Sequence, residues 1–256
     1  MKIVVFTGNA IRHRFVANEL AKNVSEALVV SECSSGDFQV TKVGSLIEEH
    51  FLQRFVTEKK FFNGNDYFIC KTIPIMRGEV NSKYIFETIR EFRPEAMLCF
   101  GASLIREPFL SLLVPGRFVN LHLGLSPYYR GSGTNFWPFV NKELEYVGAT
   151  IMHIDSCVDT GDIIVHVRPR IEMGDDVHSV GCKVIQASAL RLVEIMEKLR
   201  KGEILRRVKQ WKAEKIRYYR KDDFNESTLL KYNENLKNGL IENFLKSTKE
   251  DIRLVE

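Results

Sequence analysis

The chain of 256 residues is predicted to form an open, mixed but mostly parallel α/β sheet with helices on both faces, followed by a small C-terminal appendage. Three observations predict it. Short apolar runs alternate with segments of helical period through the first half, as expected of strands joined by crossover helices. Near residue 150 this gives way to two apolar runs joined by a short Asp-Thr-Gly-Asp loop, a spacing that suits an antiparallel return at a sheet edge. A long helical pattern then runs to about residue 201, and the texture changes again after it.

Residues 3–7 are apolar and stopped by Gly8, which reads as a buried strand. Residues 15–22 read as a helix and 27–30 as a second strand. Residues 46–55 place Leu46, Ile47, Phe51, Leu52 and Phe55 on one helical face. Residues 67–70 read as a third strand. Asn81 is the expected cap of a helix through Phe92, ended by Pro94. Residues 96–100 and 118–121 complete the parallel strands, which carry near-continuous apolar runs as strands covered on both faces do. Residues 149–154 and 163–167 are the antiparallel pair. The long helix spans 176–201, with Asp175 and Asp176 at the positive end of its dipole. Phe136 and Trp137 are expected in helix core, and a last helix covers 226–245. The division is residues 1–203 as the main domain and 204–256 as an appendage too short for a core of its own.

Composition narrows the class. Apolar residues make up 45%, enough for a sizeable core, and the net charge of +4 does not require a nucleic-acid partner. Cys33, Cys70, Cys99, Cys157 and Cys182 are odd in number and show no paired spacing, so free thiols in a reducing cytoplasm are expected. The opening apolar run breaks at Gly8-Asn9, too soon for a signal peptide, and no run is long enough to span a membrane. His153 and Asp155 alternate on one strand face but lack a third ligand, so no metal is expected.

The chemistry is concentrated in two stretches. Asn120-Leu121-His122 is followed by Gly124-Leu125-Ser126-Pro127-Tyr128-Tyr129-Arg130-Gly131, and far downstream stands Val158-Asp159-Thr160-Gly161-Asp162. An amide can donate to a developing oxyanion, an imidazole can move a proton near neutral pH, and a carboxylate can orient the imidazole. Read from residue types alone, Asp159 and Asp162 are both candidates for the carboxylate. Gly8-Asn9, with Arg12, His13 and Arg14 behind, is either a phosphate-binding helix start or solvated charge.

These residues, with the strand from Gly148 to Met152, resemble the formyltransferases that use N10-formyltetrahydrofolate. That family includes glycinamide ribonucleotide transformylase, methionyl-tRNA formyltransferase and the sugar N-formyltransferases. The close resemblance covers about residues 94–164, and a weaker one extends from 1 to about 200. It implies a Rossmann-like fold, a homodimer and a catalytic set of Asn120, His122 and Asp159. It also implies a folate site formed by Cys99, Phe100, Gly101, Ala102 and Ile105, with Asp155 and Val158. Where the family usually reads Ser-Leu-Leu-Pro, this chain reads Gly124-Leu125-Ser126-Pro127, which bears on the pocket floor rather than on the catalytic set.

The acceptor follows by exclusion within the resemblance. The chain leaves little room for the C-terminal barrel of the tRNA enzymes, lacks the serine-containing phosphate loop of the purine enzymes, and has no extra N-terminal domain. A nucleotide-linked amino sugar is the remaining acceptor, with no membrane partner. Arg12, Arg14 and Arg130 are the expected phosphate contacts, and Tyr128 and Tyr129 the stacking residues of an exposed turn. A reading from another class is an RNA-binding relative that uses the basic run from Arg206 to Lys221; the intact Asn-His-Asp set opposes it.

Overall fold

The computed structural model describes residues 1–33, 45–248 and 251–256. Seven strands form one sheet: β1 (Lys2–Gly8), β2 (Glu26–Cys33), β3 (Lys71–Met76), β4 (Ala96–Phe100), β5 (Phe118–His122), β7 (Ala149–His153) and β8 (Ile163–Val167), in the order β3-β2-β1-β4-β5-β7-β8. The first five run parallel, while β7 is antiparallel to β5 and to β8. The alternation of side chains along each strand supplies two apolar faces. Ile3 and Val5 join the core under the helices α1 (Ile11–Ala21) and α5 (Val177–Arg200), whereas Val4 and Phe6 join the core under α3 (Lys83–Phe92). The fold is therefore the mixed, mostly parallel sheet that the alternation predicts.

Several boundaries differ from the sequence reading. The third strand is Lys71–Met76, not 67–70. Tyr67 and Ile69 are exposed, and the strand contains Pro74, which an edge position tolerates because it costs no pairing on the outer side. Ser82, not Asn81, caps α3 by accepting from the backbone N–H of Ile85. Asn81 holds the loop after β4 instead: its amide donates to Leu104 O and accepts from Arg106 N. The helix α2 (Leu46–Phe61) runs a turn and a half past its expected end, started by a reciprocal capping box between Ser45 and Glu48. The last predicted helix is two, α6 (Glu226–Lys237) and α7 (Leu240–Lys246), broken where Gly239 takes a left-handed conformation.

The described residues beyond 203 lie along the sheet and over the turn that follows β5. Val208 bridges Ile163 of β8. The short strand β9 (Arg217–Tyr219) pairs in parallel with β6 (Tyr129–Gly131). Tyr219 stacks on Trp137 of α4 (Trp137–Asn141) at 3.9 Å between ring centroids. The Arg217 guanidinium meets the Glu143 carboxylate, and Asn235 of α6 donates to the carbonyls of Phe139 and Val140. Gly131 is required at this contact, because a Cβ there would stand 2.0 Å from Tyr219 O.

Candidate active site

Asn120 and His122 are two residues apart on β5 and so share a face. Asp159 comes from the loop between β7 and β8 and has a left-handed backbone (φ 52). The three side chains meet. Asn120 Nδ2 donates to Asp159 Oδ1 at 2.9 Å, and His122 Nδ1 lies 3.2 Å from Asp159 Oδ2. Both carboxylate oxygens are thus engaged, one by the amide and one by the ring. A carboxylate accepts only, so the contact holds a proton on Nδ1 and leaves the lone pair on Nε2. His122 Nε2 is buried and has no hydrogen-bond partner. An amide NH₂ has two N–H groups, so the Asn120 bond to Asp159 leaves a second donor.

Electrostatics favour the charged carboxylate. Burial pulls the Asp159 carboxyl upward, but the His122 contact, the Asn120 hydrogen bond and the Arg130 charge outweigh it and hold it below its ordinary value. Asp162, the other candidate, points elsewhere and pairs with Arg207 at 3.3 Å. The geometry therefore puts Asp159, not Asp162, against the imidazole.

A cavity of about 530 Å³ opens over this triad. Cys99, Phe100, Gly101, Ala102, Ile105, Asp155 and Val158 all line it with Asn120, His122 and Asp159. Burial pushes the Cys99 thiol up to about 12, so it is an apolar wall and not a nucleophile at neutral pH. Asp155 braces the loop that carries Asp159: its carboxylate accepts from Cys157 N at 3.1 Å and Thr160 Oγ1 at 2.7 Å. The loop after β4 is braced by the buried Glu32, which accepts from Ser103 N and Gly78 N.

Gly124 has a structural counterpart to its departure from the family pattern. A Cβ at this position would lie 2.7 Å from both His122 Nε2 and Thr134 Cβ. The imidazole and Thr134 fill the room that a serine side chain would take. Thr150 ties the same turn down, donating to Gly124 O at 2.6 Å and accepting from Ser126 N at 2.9 Å.

The expected acceptor contacts divide. Arg12 lines the cavity, and its Nη1 also donates to both oxygens of the buried Glu58 at 3.0 Å. A second cavity of about 290 Å³ adjoins the first through Arg12, Leu123, Gly133 and Thr134, and adds Arg54, His50 and His178. The two rings stand 4.4 Å apart, and burial holds His50 down to about 3 and His178 to about 4, so both are neutral. Arg14 donates instead to Asn65 O, and Arg130 donates through Nη2 to Gln210 Oε1. Neither of these two lines either cavity.

The expectation that Tyr128 and Tyr129 stand in an exposed turn is corrected. They are only 7% and 1% exposed. Tyr128 donates to Arg253 O and Tyr129 to Glu143. The C-terminal segment covers the turn, and two hydroxyls that find buried acceptors become part of the core.

The sequence reading placed His13 only in a phosphate-binding or solvated stretch behind Gly8-Asn9, whereas the structure buries it in the cavity wall. Its ring fits between Gly8 and Gly101, where a Cβ on either glycine would lie 2.6 Å from it. Burial, then the charges of Arg12, Arg54 and Arg14, holds it well below the usual histidine range. The signal was two glycines ending neighbouring parallel strands, β1 and β4. His153, once weighed as a ligand, bonds Arg206 O through Nε2 at 3.0 Å. Among the described residues no group of three His, Cys, Asp or Glu side chains gathers as a metal site would require.

The polar cluster lies at the carboxyl end of the central strand β5, where open α/β sheets place their ligand sites. The chain belongs to the formyl transferase family, whose model matches residues 1–196. A methionyl-tRNA formyltransferase from Desulforamulus reducens is 34% identical over 113 residues, 44% of this chain and 35% of that protein. A GDP-perosamine N-formyltransferase from Brucella melitensis is 33% identical over 134 residues, 52% of this chain and 51% of that protein. These matches span about a third to a half of the relatives' own lengths. The structure of an N-formyltransferase from Helicobacter canadensis, solved with folinic acid and dTDP-3-aminofucose, shares the fold with a TM-score of 0.55 at 17% identity, over 88% of this chain and 73% of that one.

Proposed function

We propose that this protein transfers a formyl group from N10-formyltetrahydrofolate to the amine of a nucleotide-linked amino sugar, in the cytoplasm, for surface polysaccharide. The observation that carries the reading is the linked set Asn120–Asp159–His122 on the floor of a cavity whose wall is the loop after β4. The cavity volume lies in the range of about 300–1,000 Å³ typical of small-molecule sites. Its backbone-rich wall over Phe100, Gly101 and Ala102 offers edge groups and an apolar slot for a flat heterocycle.

In this reading the acceptor amine attacks the formyl carbon and a new C–N bond forms. The carbonyl oxygen becomes an oxyanion, and the free N–H of Asn120 donates to it. The lone pair at His122 Nε2 takes the proton that the amine loses and returns it to N10 as the bond from carbon to N10 breaks. Asp159 holds the ring's tautomer and stabilises its charged form.

The sugar-nucleotide acceptor is supported by the GDP-perosamine relative and by the adjoining cavity, where Arg12 and Arg54 offer guanidinium forks suited to a diphosphate. The tRNA reading is supported by the methionyl-tRNA formyltransferase relatives, and glycinamide ribonucleotide is the remaining candidate. The test is formyl transfer by mass spectrometry against a panel of nucleotide-linked amino sugars, methionyl-tRNA and glycinamide ribonucleotide. Gain of a formyl mass on a nucleotide sugar is expected. Transfer to one of the others alone replaces the acceptor but keeps the chemistry. A non-reactive folate analogue should raise the melting temperature; absence of any shift at saturating concentration removes folate from the account.

A further inference from the structure

Asp159 is the member of the triad that the sheet does not hold. Its backbone is left-handed, and its loop crosses from β7 to β8 with the carbonyls of Asp159 and Gly161 turned toward the C-terminal segment. One side chain meets both. Gln210 Nε2 donates to Asp159 O at 2.8 Å and to Gly161 O at 3.1 Å, while its Oε1 accepts from Arg130 Nη2 at 2.8 Å. The partners fix the orientation of this amide: two carbonyls require the NH₂, and the guanidinium requires the oxygen. Gln210 lies just past Val208, whose bridge to Ile163 sets its height along β8. It also lies beyond residue 196, where the match to the family model ends.

We propose that Gln210 is a positioning residue for the active site: it holds the Asp159 loop in its left-handed form and joins it to Arg130, so that the C-terminal segment completes the triad. The two donors cap carbonyls on either side of Thr160, so the loop cannot flip without losing both. Through Arg130 the same amide couples the loop to the turn that follows His122. That guanidinium already favours the Asp159 charge, and the pairing of β6 with β9 holds its strand. Loss of the amide would free the carboxylate to leave His122 and Asn120, which affects the chemical step rather than substrate affinity.

The inference rests on formyl transfer as the reaction, and the experiment separates the two. Gln210→Met keeps the side chain's length and loses every hydrogen bond. Gln210→Glu keeps an acceptor for Arg130 and loses the donors to the loop. Both should lower kcat by about 10–100-fold, the scale of a misplaced catalytic group, with KM for folate and acceptor within about threefold and melting within a few degrees of wild type. A second readout needs no substrate: backbone amide shifts should change over residues 155–162 and stay fixed in β1, β2 and β4. A folded Gln210→Met with kcat within about twofold of wild type overturns the proposal. So does normal turnover in Gln210→Glu alone, which would assign the effect to the Arg130 contact. A wild-type protein that transfers no formyl group to any acceptor refutes the reaction, and the amide shifts still decide the positioning.

Discussion

The two halves of the triad are held in different ways. Asn120 and His122 stand on a strand with neighbours on both sides, and their spacing and direction follow from the pleat and from pairing to β4 and β7. Asp159 stands on a loop with no ladder. Its place depends on side chains from three parts of the chain: Asn120 and His122 from the sheet, Asp155 within the loop, and Gln210 from the C-terminal segment. The strand half is set by backbone hydrogen bonds that any suitable sequence would form. The loop half is set by particular side chains, and single substitutions remote in sequence can disturb it.

The largest expected effect removes the chemistry from either half. His122→Ala and Asp159→Asn should each lower kcat by about 10²–10⁴ while the protein stays folded, as loss of an acid–base group does. Steady-state kinetics with circular dichroism checks this; near-normal turnover in a folded His122→Ala protein would break the assignment. Next is Gly161→Ala, which strikes the loop half alone. A Cβ there would lie 1.7 Å from His153 O, a backbone contact that cannot give way cheaply. We expect a loss of about 2–3 kcal/mol by overpacking and a melting temperature lower by about 5–10 °C, with the crystal structure of the variant showing the loop moved and β5 unchanged.

Acid should affect the surroundings of both halves. Burial holds His50, His153, His166 and His178 below the ordinary histidine value. The unfolded chain takes up protons at these groups near pH 6.5, while the fold resists until much lower pH, about 4 for His178 and about 3 for His50. Their contribution is therefore fully present above about pH 6.5 and is lost as pH falls from there toward about 3. Melting temperature should be flat from about pH 8 to 7 and fall by more than about 5 °C between about pH 6.5 and 5. His166 links Ser126 O and Val255 N, so hydrogen exchange should rise first in the C-terminal segment; uniform exchange would contradict that order.

The smallest effect concerns two neighbouring arginines. Arg12→Ala should raise acceptor KM by about tenfold, whereas Arg14→Ala should leave it within about twofold, because only Arg12 lines the cavities. Equal effects would mean that the acceptor approaches along the outer face of α1.

Much of the strand half was legible because period-two patterning and turn residues are local. The strand that carries Asn120 and His122 was found this way, whereas the roles given to Asn120, His122 and the loop after β4 came from the family resemblance. The loop half was legible only as a motif: Asp159 and Asp162 are the same residue type three positions apart, residue type alone left both open, and the choice of Asp159 came from the family resemblance. In the structure Asp159 meets Asn120 and His122 while Asp162 pairs with Arg207. Gln210 carried no local signal. Gln210 acts across 51 residues on Asp159, and such contacts leave no periodicity.

The sequence by itself determined most of the alternation of strands and helices, the parallel sheet with its antiparallel return, and the amide, imidazole and carboxylate residue types, because these depend on side-chain period and functional group. Tertiary structure alone decided that Tyr128 and Tyr129 are buried, that Gly124 makes room for the imidazole, and that the C-terminal segment braces Asp159. Burial and bracing arise where distant segments exclude water from one another, and no stretch of either segment encodes that separately.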